Sequence, residues 1–405
     1  MRTRSFSVIG IAAALITVSN AGAQRDDRAA SSQAPRVPHG WELSGVPALN
    51  FDADEGFGVG AALELYNYGL GVQPYRFTIQ PTLLFTSEGR RDITAFFDAP
   101  RLLSGGWRMS AFVGSERQLA QPYYGVGNET VYNEANELPP NPYFYRYGRS
   151  RLRASVDFQR PVWDTQEVRL LFGIGVARTS FDVTPHDSGT TLLALENSGQ
   201  TPATVKANYV RVGFILDTRD QEIGPHSGTW AELLVQDVTK AVGANEEFSR
   251  FTATVRQYVP LGSRLTLAER VIAQQVTGSP SFDELSTIQS SFKQQEGLGG
   301  SSSIRGVPKD RYIGKAVFLT NSELRWHALD FSLFERRSFL ALSAFADAGR
   351  VWSGSFNTAT MFSDLHVGYG GGVRVGVGPS FIVATDVGHS SESTAAVYIG
   401  LGWMY

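Results

Sequence analysis

The sequence contains no cysteine, so neither a disulfide framework nor thiolate chemistry is available to it. It also offers no stretch that could span a membrane as a helix. The apolar run from Val8 to Val18 is shorter than the roughly 20 residues that such a helix needs. Hydrophobic residues make up 42% of the chain, below the average of about 45–50% for soluble proteins, and a helical membrane protein would exceed that average.

Positive charge is in slight deficit, because the formal net charge is −3. Residues 1–23 have a basic start, a short apolar stretch and an A-x-A ending at 21–23, the pattern of a secretory signal peptide. Its removal takes away Arg2 and Arg4 and leaves −3 − 2 = −5, which argues against a nucleic-acid surface. We therefore predict an exported protein that does not bind nucleic acid and that enters any membrane through strands.

Residues 24–40 are polar, contain Pro35 and Pro38, and show no periodicity. A segment of this length is too short to fold alone, since chains below about 40 residues rarely do so. We predict a disordered periplasmic linker at 24–40, followed by a single domain at 41–405.

That domain is rich in glycine and in alternating sequence. Over 149–158, for example, Arg149, Arg151 and Arg153 alternate with Leu152 and Ala154. Alternation with one apolar face indicates half-buried strands, which occur both in soluble β-sandwiches and in membrane barrels. Strand length and the signal peptide favour the barrel, because lipid-spanning strands need about 9–11 residues.

About sixteen such segments can be counted, and the third is the least regular because it contains Pro81. They lie near 43–51, 57–68, 74–86, 91–99, 106–117, 147–161, 166–182, 205–218, 227–238, 247–260, 263–277, 314–327, 337–352, 366–378, 380–390 and 394–405. An even count suits a single-chain barrel with both ends in the periplasm, and it places the connections 118–146, 183–204 and 278–313 outside. The predicted fold is an all-β, antiparallel transmembrane barrel.

Three short motifs stand in order near the end of the chain. Residues 304–307 read Ile-Arg-Gly-Val within a glycine- and serine-rich stretch. An N-x-E-L-R strand follows at 321–325, and an F-x-D-x-G strand at 345–349. One guanidinium, that of Arg305, is thus followed by two carboxylates, those of Glu323 and Asp347, on nearby strands.

These motifs resemble those of the BamA/TamA superfamily of outer-membrane barrels, the bacterial surface antigen type. The segments D-T-R-D at 217–220, with Pro225 and Gly228 after it, and Y-G-x-G-N at 124–128 are also similar to the family's. The chain departs from much of the family by lacking polypeptide-transport-associated domains in the segment 24–40.

The resemblance implies that the extracellular loop at 278–313 folds back into the lumen, where its arginine pairs with the two acids. The expected lumen clamp therefore consists of Ile304, Arg305, Gly306, Glu323 and Asp347. The cost of breaking it is expected between the values for exposed and buried ion pairs, because a wet lumen screens charge. The resemblance further implies a bacterial outer-membrane protein that assists insertion or translocation of proteins, and possibly of lipids. Its expected partners are outer-membrane lipid and client proteins, with the oligomeric state left open.

The first and last strands are expected to form the weakest seam of the barrel and the route for clients. Pro47 removes a backbone donor, and Gly400 and Gly402 contribute no cross-strand packing. Trp403 and Tyr405, at the end of the last alternating segment, are the expected assembly signal.

No enzyme chemistry is evident, so the expected catalytic, metal and cofactor sites are none. The six histidines have no metal-ligand spacing, and no G-x-S-x-G motif is present. Nine arginines are expected in the lumen, where they either solvate a wet interior or form an anion-attracting wall. They are Arg149, Arg151, Arg153, Arg211, Arg250, Arg256, Arg264, Arg270 and Arg374. The alternative functions are accordingly a passive, anion-leaning channel and a surface receptor or adhesin.

Overall fold

The computed structural model describes residues 39–405 apart from short gaps. The gaps are 53–55, 71, 73, 88, 104, 164, 186–188, 293–294, 334–335 and 379–380. The expected signal peptide at 1–23, and all but the last two residues of the expected linker at 24–40, lie outside the described residues.

Nineteen strands occur in the described part of the chain. They are β1 (Gly40–Asp52), β2 (Gly56–Gly69), β3 (Phe77–Thr86), β4 (Arg91–Leu103), β5 (Trp107–Pro122), β6 (Arg146–Pro161), β7 (Val168–Asp182), β8 (Val205–Lys206), β9 (Tyr209–Asp217), β10 (Gly228–Val238), β11 (Phe248–Pro260), β12 (Leu265–Gly278), β13 (Thr287–Ile288), β14 (Gln295–Glu296), β15 (Ala316–Leu333), β16 (Arg336–Trp352), β17 (His366–Val377), β18 (Phe381–Ser390) and β19 (Ala396–Leu401).

Seventeen of these strands form one antiparallel sheet in which neighbours in the sequence pair with each other. One member, β8, has only two residues, so the sheet contains sixteen long strands, as the alternation predicts. The third strand forms despite Pro81, which pairs with Ala95 of β4. Its register against β2 has no pairs at Gln80 and Pro81, where the proline cannot donate a ladder hydrogen bond.

Side chains alternate between a polar interior and an apolar exterior. On β6, Arg151 is 8% exposed and faces inward, whereas Leu152 is 58% exposed and faces outward. The four long connections, 123–145, 183–204, 279–315 and 353–365, all lie at one end of the sheet, and the other end has only shorter turns. Long loops on the extracellular side and short turns on the periplasmic side are typical of outer-membrane barrels.

Helix is confined to short segments. The α-helix α1 (Leu192–Glu196) lies in a connection, and 3₁₀ turns occur at Glu134–Glu137, Lys240–Val242, Phe282–Ser286 and Thr358–Thr360. Within the described residues, no helix has the length and apolar character needed to cross a membrane.

The two edges of the sheet overlap instead of pairing. Among the described strands, β1 pairs only with β2 and β19 only with β18, so no ladder closes the sheet. Ala62, on the inward face of β2, packs against Val377 and Phe381 on the outward faces of β17 and β18. On the periplasmic side, Arg336 donates a hydrogen bond of 2.6 Å to Glu42 of β1. The first hairpin thus lies over the outside of the last strands.

The last strand is shorter than the sequence predicts. The expected segment reaches Tyr405, but β19 ends at Leu401. Gly402 has φ = +77°, a left-handed conformation that glycine adopts without steric cost, and it lies beyond the strand, contrary to the expectation for it. The chain then turns into the lumen, so Trp403 and Tyr405 do not belong to the last strand, contrary to the prediction from the alternating segment 394–405.

Candidate functional site

The described residues of the loop 279–315 lie inside the barrel and bind side chains of β6, β9, β11, β12, β15 and β16. Its approach to Arg305 is shaped by Gly299 and Gly300, which have φ values of +109° and +90°. The hydroxyl of Ser303 accepts from the Gly299 N–H at 2.8 Å and donates to the Gly297 carbonyl at 2.9 Å. These local hydrogen bonds and the two positive φ values hold a compact turn.

Arg305 is completely buried and is bound on three sides. Its Nε and Nη2 donate to the two carboxylate oxygens of Asp347 at 2.9 and 3.0 Å, a bidentate arrangement. Its Nη1 donates to Glu323 at 2.8 Å. The guanidinium also stacks on the Phe345 ring, 3.3 Å from the ring centre. The structure therefore brings together the arginine and both acids that the resemblance indicates.

The ion cluster is larger than the sequence motifs suggest. Asp386 of β18 lies 3.4 Å from Arg305 and accepts two hydrogen bonds from Arg374 of β17, at 2.7 and 3.0 Å. Arg325, the last residue of the N-x-E-L-R strand, donates to Glu323 at 2.9 Å. Asp386 has the opposite parity to Val383 and Val387, a pattern that could identify it as luminal but not as a partner of Arg305.

Glycines on the wall make room for the loop backbone. A Cβ on Gly368 of β17 would lie 1.9 Å from the Arg305 carbonyl oxygen, and one on Gly388 of β18 would lie 2.7 Å from its carbonyl carbon. Gly306 itself has φ = +98° and donates to the Tyr398 hydroxyl at 2.9 Å. The glycine-rich strand at 368–372 thus permits the close approach of the loop.

Ile304 completes the predicted clamp on its apolar side. It is fully buried in a cluster with Ile272, Leu298, Val307 and Leu319, which belong to the loop and to the wall strands β12 and β15. The clamp therefore combines a buried ion cluster with a small apolar core.

A second set of ion pairs holds the opposite end of the loop. Asp283 accepts from Arg149 at 2.9 Å, from Arg151 at 2.6 Å and from the Tyr147 hydroxyl at 3.0 Å. Burial by itself would raise the pKa of Asp283, but Arg151 and Arg149 outweigh that effect and hold the pKa well below its usual range. The next residue, Glu284, pairs with Arg250 at 3.0 Å.

The structure supports neither of the two sequence interpretations of the luminal arginines, solvation of a wet interior or an anion-attracting wall. Arg211 is hydrogen-bonded to Asp157 of the wall and, at 3.0 Å, to Gln289 of the loop. Arg270 donates at 2.8 Å to the Ser302 carbonyl of the loop. Arg264 does not lie in the lumen as expected, because it sits in an exposed periplasmic turn beside Asp330. Several of these arginines fasten the loop rather than solvate an open interior.

The Y-G-x-G-N segment covers the extracellular side of the same loop. The Gly127 N–H donates to the Ile313 carbonyl at 2.9 Å. The Asn128 side chain accepts from the Val351 N–H at 3.1 Å and donates to the Asp364 carbonyl at 3.0 Å. This motif ties the loop to the strand that carries Asp347.

The D-T-R-D segment forms a periplasmic turn. Arg219 donates to both carboxylate oxygens of Asp217, at 2.8 and 2.9 Å, and Asp220 accepts from the His226 N–H at 3.0 Å. Gly228, with φ = +100°, would bring a Cβ within 2.3 Å of the Thr218 carbonyl oxygen. The turn needs glycine at this position, and its motif has a structural role.

The expected seam residues lie at the two unpaired edges. Pro47 of β1 is opposite Ala61 of β2, and Gly400 of β19 is opposite Ala384 of β18. The side chains of 46–52 lie outside the described set. Beyond Gly402, the tail enters the lumen, where Arg325 lies 4.4 Å from the Trp403 ring centre and donates at 2.9 Å to the Tyr405 carbonyl.

A cavity of about 640 Å³ remains between the loop, the tail and the wall formed by β2–β7, β9 and β10. Among the described residues, no cluster of histidine, aspartate and glutamate could hold a metal ion. The site is therefore a lumen partly filled by a loop, and its described residues form no metal site.

These features define a class: a sixteen-stranded bacterial outer-membrane β-barrel with an inward-folded extracellular loop. The Omp85 superfamily domain matches residues 84–388, and the chain belongs to that superfamily. The described residues contain no polypeptide-transport-associated domain. No curated protein sequence matches the chain.

Two solved structures share the fold. BamA from Haemophilus ducreyi lacking POTRA domains 1-3 is 13% identical with a TM-score of 0.53, over 90% of this chain and 69% of that one. CdiB from Escherichia coli is also 13% identical with a TM-score of 0.53, over 91% of this chain and 62% of that one. The chain thus spans less than two thirds of the length of CdiB.

Proposed function

We propose that this protein assists insertion or translocation of client proteins at the outer membrane, by opening the seam between β1 and β19. The observation that carries the proposal is the missing ladder between these strands. Two unpaired edges present backbone donors and acceptors that an incoming strand can use, which is how β-strand addition works. Family membership supports the same general role.

The fastened loop supports a lateral route over a luminal one. The loop is fastened at one end by Arg305 with Asp347 and at the other by Asp283 with Arg149. Withdrawing it would break several buried ion pairs, each of which is costly to break on one side only. Separating the first and last strands breaks no ladder, so the seam is the easier path.

A passive, anion-leaning channel is less well supported. Much of the luminal positive charge is matched by carboxylates, as in the pair of Arg211 with Asp157 and the pair of Arg153 with Glu116. Planar-bilayer conductance tests this alternative, since a lumen filled by a fastened loop should give small, flickering currents. Large, steady, anion-selective currents would favour the channel.

Reconstitution tests the proposed activity itself. Liposomes with and without the protein receive a urea-denatured, eight-stranded outer-membrane barrel, and assembly is followed by its heat-modifiable band. We expect faster assembly with the protein present. No acceleration across several such clients would contradict the proposal and favour the receptor or adhesin interpretation, which predicts no effect on assembly.

A further inference from the structure

Four basic side chains lie on the outer surface near the extracellular ends of neighbouring strands. Arg91 of β4 is directly opposite Arg117 of β5, and Arg178 of β7 is directly opposite Lys206 of β8. All four residues are exposed. We call this group the outer basic patch.

The patch faces the membrane side of the wall and not the lumen. Ile93, two residues along β4 from Arg91, is 39% exposed, and Val176, two residues before Arg178, is 53% exposed. The adjacent Glu116 has the opposite parity and pairs with Arg153 inside the barrel. Because side chains alternate along a strand, the four cations project outward just beyond the apolar band.

Nothing described in the protein neutralises these cations. Like charges placed directly opposite each other on neighbouring strands destabilise a sheet. Among the described residues, no hydrogen bond or ion pair joins any of the four side chains to a carboxylate. Two other cations near extracellular strand ends have protein acceptors, since Arg350 donates at 2.7 Å to the Thr360 carbonyl and Lys315 at 2.8 Å to the Gly278 carbonyl.

The nearest acid on the same face of β7 does not fill this role. Asp182 lies four residues from Arg178, about 13 Å along the strand, and it accepts from the Thr184 N–H at 2.9 Å. The two pairs are themselves separated by about 10 Å across the sheet and about 7 Å along it. This spacing suits a headgroup that carries more than one phosphate.

We propose that the outer basic patch binds the phosphate groups of a phosphorylated glycolipid in the outer leaflet. Guanidinium groups match phosphate oxygens in a bidentate fashion, and cations next to an anionic leaflet attract its headgroups. The position at the edge of the apolar band places the cations at headgroup height. The patch lies on β4–β8, away from the first and last strands, so bound lipid leaves the seam free.

Binding of diphosphoryl lipid A to the detergent-solubilised protein, measured by calorimetry, tests the proposal. A cation near an anionic lipid surface corresponds to about fivefold in affinity, so Arg117→Gln with Arg178→Gln should weaken binding roughly 25-fold. The matched control is Arg101→Gln with Arg160→Gln, which removes two exposed arginines near the periplasmic ends of β4 and β6. The control should bind as the native protein does.

Three results would overturn the proposal. They are unchanged binding in the patch variant, equal loss in the control variant, and binding of inorganic phosphate as tight as that of the lipid. A salt series on the native protein tests the proposal without any variant, so its result stands even if a variant fails to fold. Binding there should weaken steadily as sodium chloride rises, and binding that is independent of salt would also contradict a phosphate site.

Discussion

Arg305 carries much of the loop's attachment, because a single guanidinium meets Asp347, Glu323 and Asp386 with no exposed surface. The sequence led us to expect an intermediate cost for breaking this cluster, on the assumption of a wet lumen. Full burial removes the screening that such a lumen would provide, so the cost belongs at the upper end. Burial thus decides how much this charge pair contributes to the stability of the docked loop.

We therefore predict that Arg305→Ala destabilises the folded protein by about 3–5 kcal/mol, because it leaves buried carboxylates without their cation. The free energy of unfolding in urea measures this, and external protease should cut the loop more readily. Arg305→Lys keeps the charge but loses the bidentate contact, so it should recover only part of the loss. In a double-mutant cycle with Asp347→Ala, additive effects would show that the two residues do not interact.

We expect Asp310 to make loop docking sensitive to pH. It accepts from Gln121 at 2.7 Å and from the Gly297 N–H at 2.9 Å, inside the barrel. Burial, followed by the charge of Glu296, raises the pKa of Asp310 from 3.8 to about 7, against the opposing charges of Lys309 and Arg149. Between about pH 4 and pH 7, Asp310 is therefore protonated when the loop is docked and ionised when it is not.

Loop docking should consequently be most favourable below about pH 4 and weaken as pH rises to about 7. Hydrogen exchange of the backbone around Asp310, followed across this range, measures the effect. Asp310→Asn cannot ionise and serves as the control. The same pH dependence in the native protein and in Asp310→Asn would assign the effect to other groups.

At the level of structural elements, the first hairpin and the last strands are held together by side-chain contacts, because no ladder of hydrogen bonds joins them. Among the described residues, the contacts between them include Ala62 against the cluster of Val377 and Phe381, and Glu42 with Arg336. The ion pair is partly exposed, with side-chain exposures of 26% for Arg336 and 13% for Glu42. Partly exposed pairs contribute about 0–1 kcal/mol each, so this pair adds only a little to the stability of the overlap.

We predict that Glu42→Gln loosens the edge of β1 without unfolding the barrel. Hydrogen exchange should rise at the periplasmic end of β1, and the urea midpoint should change little. Asp330→Asn is the matched control, because Asp330 forms an exposed pair with Arg264 across strands that share a ladder. Equal changes in both variants would show that the Glu42 pair has no special role at the seam.

The tail after β19 has a different environment from the one that its sequence indicates. The Tyr405 hydroxyl donates to the Ala268 carbonyl at 2.9 Å, and Arg270 lies 4.8 Å from the Tyr405 ring centre. The role of Trp403 and Tyr405 as an assembly signal is still a prediction. Deleting 403–405 should prevent formation of the heat-modifiable barrel, whereas Tyr405→Phe, which keeps the ring, should assemble. Normal assembly of the deletion would exclude the assembly role.

For the whole molecule, period-two alternation is sufficient to predict the sixteen long strands, because the described strands alternate between an outward apolar face and an inward polar one. The motif resemblance indicated the contact of Arg305 with Glu323 and Asp347. Alternation could not indicate that Gly402 turns the tail inward, since this depends on a positive φ and on contacts with Arg325. It also could not reveal the overlap of Ala62 with Phe381, because sequence patterns carry no information on how the edges of a sheet meet.

The central claim is that clients use the seam between the first and last strands, and a cross-link across it tests that claim directly. In Glu42→Cys with Arg336→Cys, a short bis-maleimide joins β1 to the first residue of β16 in a chain that otherwise has no cysteine. Arg264→Cys with Asp330→Cys is the control, because it joins β15 in the same way to the turn before β12, and these two strands already share a ladder. Our account predicts that the seam cross-link abolishes client assembly in liposomes, while the control cross-link leaves it intact. Full activity with the seam cross-linked would contradict the lateral route.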